Sequence, residues 1–355
     1  MPCSRCEKIP ILFTELSDVY VTVPTNHHVA LFEGALEKKH YLFETLEEGF
    51  LVKNVPFEEF LFYLNFSVFN TIEKKDVRIL SLKPGAPLSF SSLKSFKTLE
   101  EWMLLHQGKE VADIIEEGRI KTLFQPIISC KTGEVYGFEA LSRGIQKDGT
   151  LMNPEKLFSE AKAMDLLFFL DRVCREASIK AAARMGIVRR LFINFIPTAI
   201  YEPSLCLQST ARVLSVEKIL AEQVVFEVVE TEKVQDFGHL NRILDYYRER
   251  GFSTALDDVG SGYADVGALL KLRPNYMKID MHIIRDIHVD KEKQQTLKTF
   301  MDSAKSIDAL ILAEGIETLE EYRYLKNQGV DLCQGYLFGK PQEIPDKKPF
   351  VEPSL

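Results

Sequence analysis

From Leu123 onward, short apolar runs with β character alternate with longer stretches of helical period, and this alternation limits the possible folds more than any other feature. The strand-like runs are Leu123–Ile128, Val135–Leu141, Leu191–Ile196, Val224–Val229, Ser253–Leu256, Tyr276–Ile279, Leu310–Ala313 and Leu332–Phe338. Helical spacing fills most of the intervals, at Phe168–Arg184, Phe237–Arg250, Lys291–Ser306 and Leu319–Gln328. Eight strands in a segment close to the roughly 250 residues of a (β/α)8 barrel predict that architecture. The first two runs are joined only by Ser129-Cys-Lys-Thr-Gly-Glu134. So short a link, with Gly133, suits a hairpin and not a crossover helix. The expected fold class is therefore α/β: a modified TIM-type (β/α)8 barrel whose first strand runs antiparallel to the second.

A chain of 355 residues has room for a further unit ahead of the barrel. Residues 1–82 read as a small α+β domain, regulatory or sensory, of unknown ligand. Asp18–Pro24 and Asp76–Leu82 have strand character, His28–Lys39 has helical spacing, and the apolar stretch Phe57–Phe66 is read as helical. Lys83-Pro-Gly-Ala-Pro87 and the serines and lysines after it open a linker over 83–108. Within it Thr98 and Glu101 predict a capping box for a helix through Leu105. The amphipathic Val111–Glu117 leads into the barrel, assigned to 109–345, and 346–355 is left as a C-terminal tail.

A formal net charge of −8 disfavours broad binding to DNA or RNA, which needs a basic face. No apolar run approaches the ~20 residues that span a bilayer. The first residues lack the apolar core of a secretory signal. A cytoplasmic protein without membrane insertion is expected. Of the six cysteines, Cys130, Cys174, Cys206 and Cys333 sit in or beside apolar segments and read as reduced packing thiols. Cys3-x-x-Cys6, with His27 and His28, reads either as half a zinc site or a redox pair, or as a merely packed or unstructured end.

Polar residues recur where the strands end. Glu139, Asn194, Glu227, Asp257 with Asp258, Lys278, Glu314 with Glu317, and Gln334 each interrupt or directly follow one of the eight runs, and Glu230 and Asp280 come shortly after. Taken singly, each has a plain alternative as a helix cap, a turn residue or a solvated acid. In a barrel, however, the C-terminal strand ends converge on one face. So many acids on one rim cannot all stay ionised and unpaired. Hard divalent cations with oxygen ligands resolve that conflict, and the lack of histidine at these ends argues against zinc.

Phe124-Gln-Pro-Ile-Ile128 and Phe138-Glu-Ala-Leu-Ser-Arg143 resemble the opening of EAL domains, the cyclic-di-GMP phosphodiesterases. Asn194, Glu227-Val-Val-Glu230, Asp257-Asp-Val-Gly-Ser-Gly262, Met277-Lys-Ile-Asp280, Ala313-Glu-Gly-Ile-Glu317 and Gln334-Gly-Tyr-Leu-Phe338 follow in the family's order. The departures are mild: Val259 and Ser261 stand where Phe and Thr are more usual, and Phe-Ile-Pro follows Asn194. No cyclase signature accompanies the match.

The resemblance implies metal-dependent hydrolysis of cyclic-di-GMP to linear 5′-pGpG, two Mg²⁺ or Mn²⁺ ions, and a homodimer. It implies that Glu139, Asn194, Glu227 and Asp257 hold one ion, and that Asp257, Asp258 and Glu317 shape the second. Glu314 is implied as a ligand or the base, Lys278 as the group that orients water and offsets charge, and Gln334 as completing the shell. Gln125, Leu141, Arg143, Asp258 and Gln334 are the implied substrate contacts. Glu230, Gly260, Ser261 and Gly262 are implied to couple the loop to the dimer. A silent cyclic-di-GMP receptor is the alternative.

Overall fold

A computed structural model of the chain describes residues 16–90, 92–200, 202–228, 237–260 and 271–353. Cys3, Cys6, Glu230, Ser261 and Gly262 lie outside the described residues. The chain divides into two units, one holding the described residues up to Asp113 with Glu160–Asp165, the other the remainder.

The first unit is built on an antiparallel sheet of five strands: β1 (Leu16–Thr22), β2 (Phe43–Leu46), β3 (Gly49–Pro56), β4 (Arg78–Leu82) and β5 (Lys97–Thr98), in the order β2-β3-β1-β4-β5. Period-two alternation puts Val19 and Val21 of β1, Phe50 and Val52 of β3 and Ile79 of β4 in the core. The helices Asn26–Lys38 and Phe57–Tyr63 cover them with Phe32, Leu36, Phe57 and Phe60. The expected helix over Phe57–Phe66 changes at Leu64 into a π-helical turn through Val68. The β2–β3 hairpin has no counterpart in the sequence reading, because its turn is Glu47-Glu48 and lacks the Asn-Gly type of signal. Part of the segment read as a linker belongs to this unit. β5 pairs with β4, and the helix Leu99–Gln107 buries Leu99, Trp102 and Leu105, with the Trp102 indole donating to the Ile79 carbonyl at 3.0 Å. Thr98 and Glu101 cap that helix reciprocally.

The second unit is a closed barrel. Its strands are β6 (Ile120–Ser129), β7 (Val135–Ile145), β9 (Arg190–Phe195), β10 (Val224–Val228), β11 (Ser253–Val259), β12 (Tyr276–Ile279), β13 (Leu310–Ala313) and β14 (Leu332–Gln334), while the two-residue β8 (Leu151–Met152) only flanks β7. β6 is antiparallel to both its neighbours, β7 and β14, and every other barrel pairing is parallel. The hairpin length thus dictates the direction of the first strand. Outward-facing residues pack under the helices, as where Phe226 of β10 stacks on Tyr247 of the helix Phe237–Glu249 at 4.1 Å.

The barrel interior has two layers. Ile127, Phe192, Val225, Ala255, Tyr276, Leu312 and Leu332 form one buried apolar cluster that fills the lower part. Side chains on one face of a strand recur every second residue. Two residues on along each parallel strand stand Asn194, Glu227, Asp257, Lys278, Glu314 and Gln334, and two residues back along the antiparallel β6 stands Gln125. On β7 the corresponding pair is Gly137 and Glu139. A Cβ on Gly137 would meet the Arg190 carbonyl oxygen at 2.6 Å, so β7 and β9 close on each other only because no side chain intervenes.

The cysteine reading needs a correction. Cys130 and Cys333 form a disulfide, whereas Cys174 and Cys206 are free and buried. The pair joins the end of β6 to β14, where antiparallel closure brings together residues 203 apart in sequence, and no local pattern reveals that neighbourhood. The expected C-terminal tail is also docked, through Phe350 and Glu352. The Phe350 ring packs against Tyr322 and Phe338, its N–H donates to the Gly133 carbonyl, and Glu352 pairs with Arg323. Among the described residues no helix is long and apolar enough to cross a membrane.

Candidate active site

Lys278 is the centre of the upper layer. β12 carries it into the barrel, and its ammonium contacts Glu314 at 2.7 Å, Glu227 at 2.9 Å, Asp257 at 3.0 Å and Glu139 at 3.8 Å. It is 1% exposed and Glu227 is fully buried. One cation cannot neutralise four carboxylates at these distances, so protons must redistribute. Burial raises the Glu227 and Glu314 carboxyls well above the usual range, and neighbouring acids add to the rise against the pull of Lys278. Asp257 is raised for the same reasons, burial first. Burial alone would lower the Lys278 ammonium, but Asp257, Glu139, Glu227 and Glu314 hold it well above an ordinary lysine.

Glu139 behaves differently. Burial raises it, but Lys278 and the amide donors of Gln334 and Asn194 outweigh that and hold it below the usual range. Asn194 Nδ2 donates to one oxygen at 3.1 Å and Gln334 Nε2 to the other at 2.6 Å. Gln334 also donates to Gln125 Oε1 at 3.2 Å, and Gln125 in turn donates to the Gly339 carbonyl. The register prepares this network, since Gln125 lies opposite Glu139 and Asn194 opposite Glu227.

Asp258 follows Asp257 at a break in the β11–β12 register, in the left-handed region with φ of 55°, and donates its N–H to Asp257 Oδ1 at 2.9 Å. That kink brings carboxylate oxygens of Asp257, Asp258 and Glu314 within 4.8 Å of one another. Burial, then the charge of Asp257, pushes the Asp258 carboxyl up to about 6. The turn carrying Glu314 is seated against β14. A Cβ on Gly335 would lie 2.0 Å from the Ile316 carbonyl oxygen, and Ile316 donates its N–H to the Gln334 carbonyl.

The donor set fits a hard divalent cation. It offers carboxylate and amide oxygens. Glu227 Oε2 and Gln334 Oε1 are buried without a hydrogen-bond partner, and Glu227 Oε1 has only its ion-pair contact with Lys278. Glu139, Asn194, Glu227, Asp257, Asp258, Glu314 and Gln334 are the residues able to hold such ions.

The structure does not bring every expected residue to this cluster. The Glu317 carboxylate is exposed and makes a bidentate pair with Arg285, at 2.7 Å for each bond. Arg143 and Leu141 are half-buried on β7, and the Arg143 guanidinium donates to the Ser142 carbonyl at 2.8 Å. Gly260 takes φ of 103° against Ile283 and Phe300. In the first unit, His28 engages Thr25 through Nδ1 and Glu73 through Nε2.

Sequence reading passed over one buried pair that backs the site. Asp171, in the helix Leu167–Arg184, accepts the Ile196 N–H at 3.0 Å just beyond Asn194, and is held by Arg175, which also donates to Thr210. Opposite charges four residues apart on one helix are the signal that marks it, although Arg172 and Glu176 beside them blur it.

The family model described as "EAL domain" matches residues 109–341. The probable cyclic di-GMP phosphodiesterase PdeG of Escherichia coli K12 is 30% identical over 239 residues, covering 64% of this chain and 45% of that protein. The cyclic di-GMP phosphodiesterase NbdA of Pseudomonas aeruginosa is 25% identical over 253 residues, covering 70% of this chain and 32% of that one. The chain thus spans less than half the length of these two relatives. A solved standalone versatile EAL protein from Vibrio cholerae O395, in its c-di-GMP-bound form, matches at a TM-score of 0.57 and 37% identity, over 63% of this chain and 92% of that one.

Proposed function

This chain belongs to the EAL domain family, and from that premise we propose that it hydrolyses cyclic-di-GMP to linear 5′-pGpG with Mg²⁺ or Mn²⁺. The observation that carries this reading is the buried Lys278 ammonium among Glu139, Glu227, Asp257 and Glu314, with carboxylate and amide oxygens left unpartnered beside it. The names of the curated relatives and the c-di-GMP-bound Vibrio cholerae structure support the substrate.

Water must attack phosphorus while the bond to the 3′-oxygen breaks, and that oxygen leaves with a proton. Two divalent ions held by Glu139, Asn194, Glu227, Asp257, Asp258, Glu314 and Gln334 would lower the pKa of bound water and offset charge at phosphorus. Lys278 stays protonated at neutral pH, so it acts as a donor and a positive charge and not as a base. Glu314 is either a further ligand of these ions or, when ionised, the base that receives the proton of the attacking water. Asn194 and Gln334 hold Glu139 ionised and oriented. Arg143, Leu141 and Gln125 border the substrate, Arg143 through paired donors to phosphate or guanine. The homodimer expected from the resemblance belongs to the same proposal.

Chromatography of nucleotides after incubation with cyclic-di-GMP and Mn²⁺ tests the reading. The expected result is 5′-pGpG from the wild type and none above background from Glu139→Ala. Equal rates from both would refute the assignment. Tight binding without turnover by the wild type would make the chain a receptor instead.

A further inference from the structure

Glu317 stands three residues from Glu314 yet faces away from the cluster, and the contacts around it form a connected set. Glu321 is 1% exposed, at the start of the helix Leu319–Gln328. Its Oε1 accepts the Asp286 N–H at 3.0 Å, and its Oε2 accepts the Glu317 and Thr318 N–H groups at 3.0 and 3.1 Å. Arg285 and Glu317 join the same two segments a second time, through their bidentate pair. Lys293 ties the Arg285 carbonyl at 2.6 Å to the helix Lys291–Ser306.

The two segments matter because of what precedes them. Arg285–Asp286 closes the short helical segment Met281–Ile284 that follows β12, the strand that carries Lys278, and Glu317–Thr318 ends the turn that follows β13 and carries Glu314. Between them Glu314 donates its N–H to the Ile279 carbonyl at 3.1 Å, and a Cβ on Gly315 would lie 2.4 Å from the Met281 Cβ. Asp286 adopts a left-handed φ of 59°, a conformation that costs free energy in a non-glycine residue and persists only where its surroundings impose it. A buried carboxylate with three backbone donors is such a surrounding, and an apolar replacement would leave three N–H groups unpaired.

We propose that Glu321, with the Arg285–Glu317 pair, is a brace that sets the distance between Glu314 and Lys278, and so positions the two groups for metal binding and catalysis. The proposal rests on the functional reading above. It gives Glu317 a bracing role in place of a ligand role. Glu321 touches neither substrate nor ion, so it is a positioning residue.

Glu321→Gln keeps the shape but supplies one acceptor and turns an N–H₂ toward backbone donors. In the full chain it should lower Mn²⁺ affinity, read by calorimetry without substrate, and kcat, each by about 10-fold or more, the usual scale for groups that orient ligands. KM should stay within about 3-fold, because the substrate-facing groups are untouched. Hydrogen exchange at the amides of Asp286, Glu317 and Thr318 should accelerate. Arg285→Lys, which keeps the charge and loses the fork, should shift Mn²⁺ affinity the same way by a smaller factor. Glu320→Gln, an exposed neighbour, should change none of these. Wild-type Mn²⁺ affinity in Glu321→Gln would overturn the brace while leaving the functional reading intact. A wild type that neither binds Mn²⁺ nor cleaves cyclic-di-GMP would overturn the functional reading and the positioning claim with it.

Discussion

The two layers of the barrel interior come from the same strands two residues apart, yet they meet opposite demands. Phe192, Val225, Leu312 and their neighbours exclude water, and their packing closes the floor. One step higher, the buried Glu227 and the half-buried Asn194 and Glu314 place polar groups above that dry floor and leave some oxygens without hydrogen-bond partners. The upper layer tolerates its charge only through Lys278, shared protons and the ions proposed to bind there. The floor therefore makes the upper layer's electrostatics strong, because it removes the water that would screen them.

Lys278→Met should give the largest effect. It removes the one cation that contacts four acids, so turnover should fall below detection, and the metal-free protein should lose about 3–5 kcal/mol in urea unfolding, as expected for a broken buried pair. Unchanged stability would mean that the acids are already neutral and that the ammonium is not what holds them. Leu312→Ala, in the floor, should cost about 2–5 kcal/mol of stability. Its kcat, measured on the folded fraction well below the melting temperature, should stay near wild type. A large loss of kcat there would show that the layers are not separable. The smallest effect concerns Asp258. Its carboxyl is raised from 3.8 to about 6 by burial and by Asp257. An acid raised on folding contributes stability that is full below its unfolded value and is lost as pH rises through the folded one. Stripped of divalent ions, the protein should therefore become less stable between about pH 4 and pH 6, and Asp258→Asn should reduce that slope modestly, since the side chain is partly exposed. Saturating Mn²⁺ should flatten it. An unchanged urea midpoint across that range would break the electrostatic half of the comparison.

Much of the barrel is legible in the chain. Strand runs such as Tyr276–Ile279, apolar but for Lys278, and the wholly apolar Leu310–Ala313 are short segments bounded by helical periods, and the structure places them at those residues. The polar positions at their ends can also be read, because period two fixes which residues share a face. What escaped reading depends on partners distant in sequence. Glu317 reads as one more acid at a strand end, and nothing local shows that Arg285 claims it. Cys130 and Cys333 read as packing thiols because their adjacency arises only when β14 closes against β6. The β2–β3 hairpin was missed for lack of turn chemistry, and the helix Leu99–Gln107 passed for a connector although Trp102 fastens it to the sheet.

The alternation of strands and helices, the reversed first strand and the residue types of the inner rim are written in the chain, because they follow from hydrophobic period, loop length and strand alternation, all local quantities. Which acids surround Lys278, which one pairs with Arg285, and which carboxyls are raised or lowered emerge only on folding. Those outcomes depend on distance and burial, and both are set only when strands remote in the chain close into a ring.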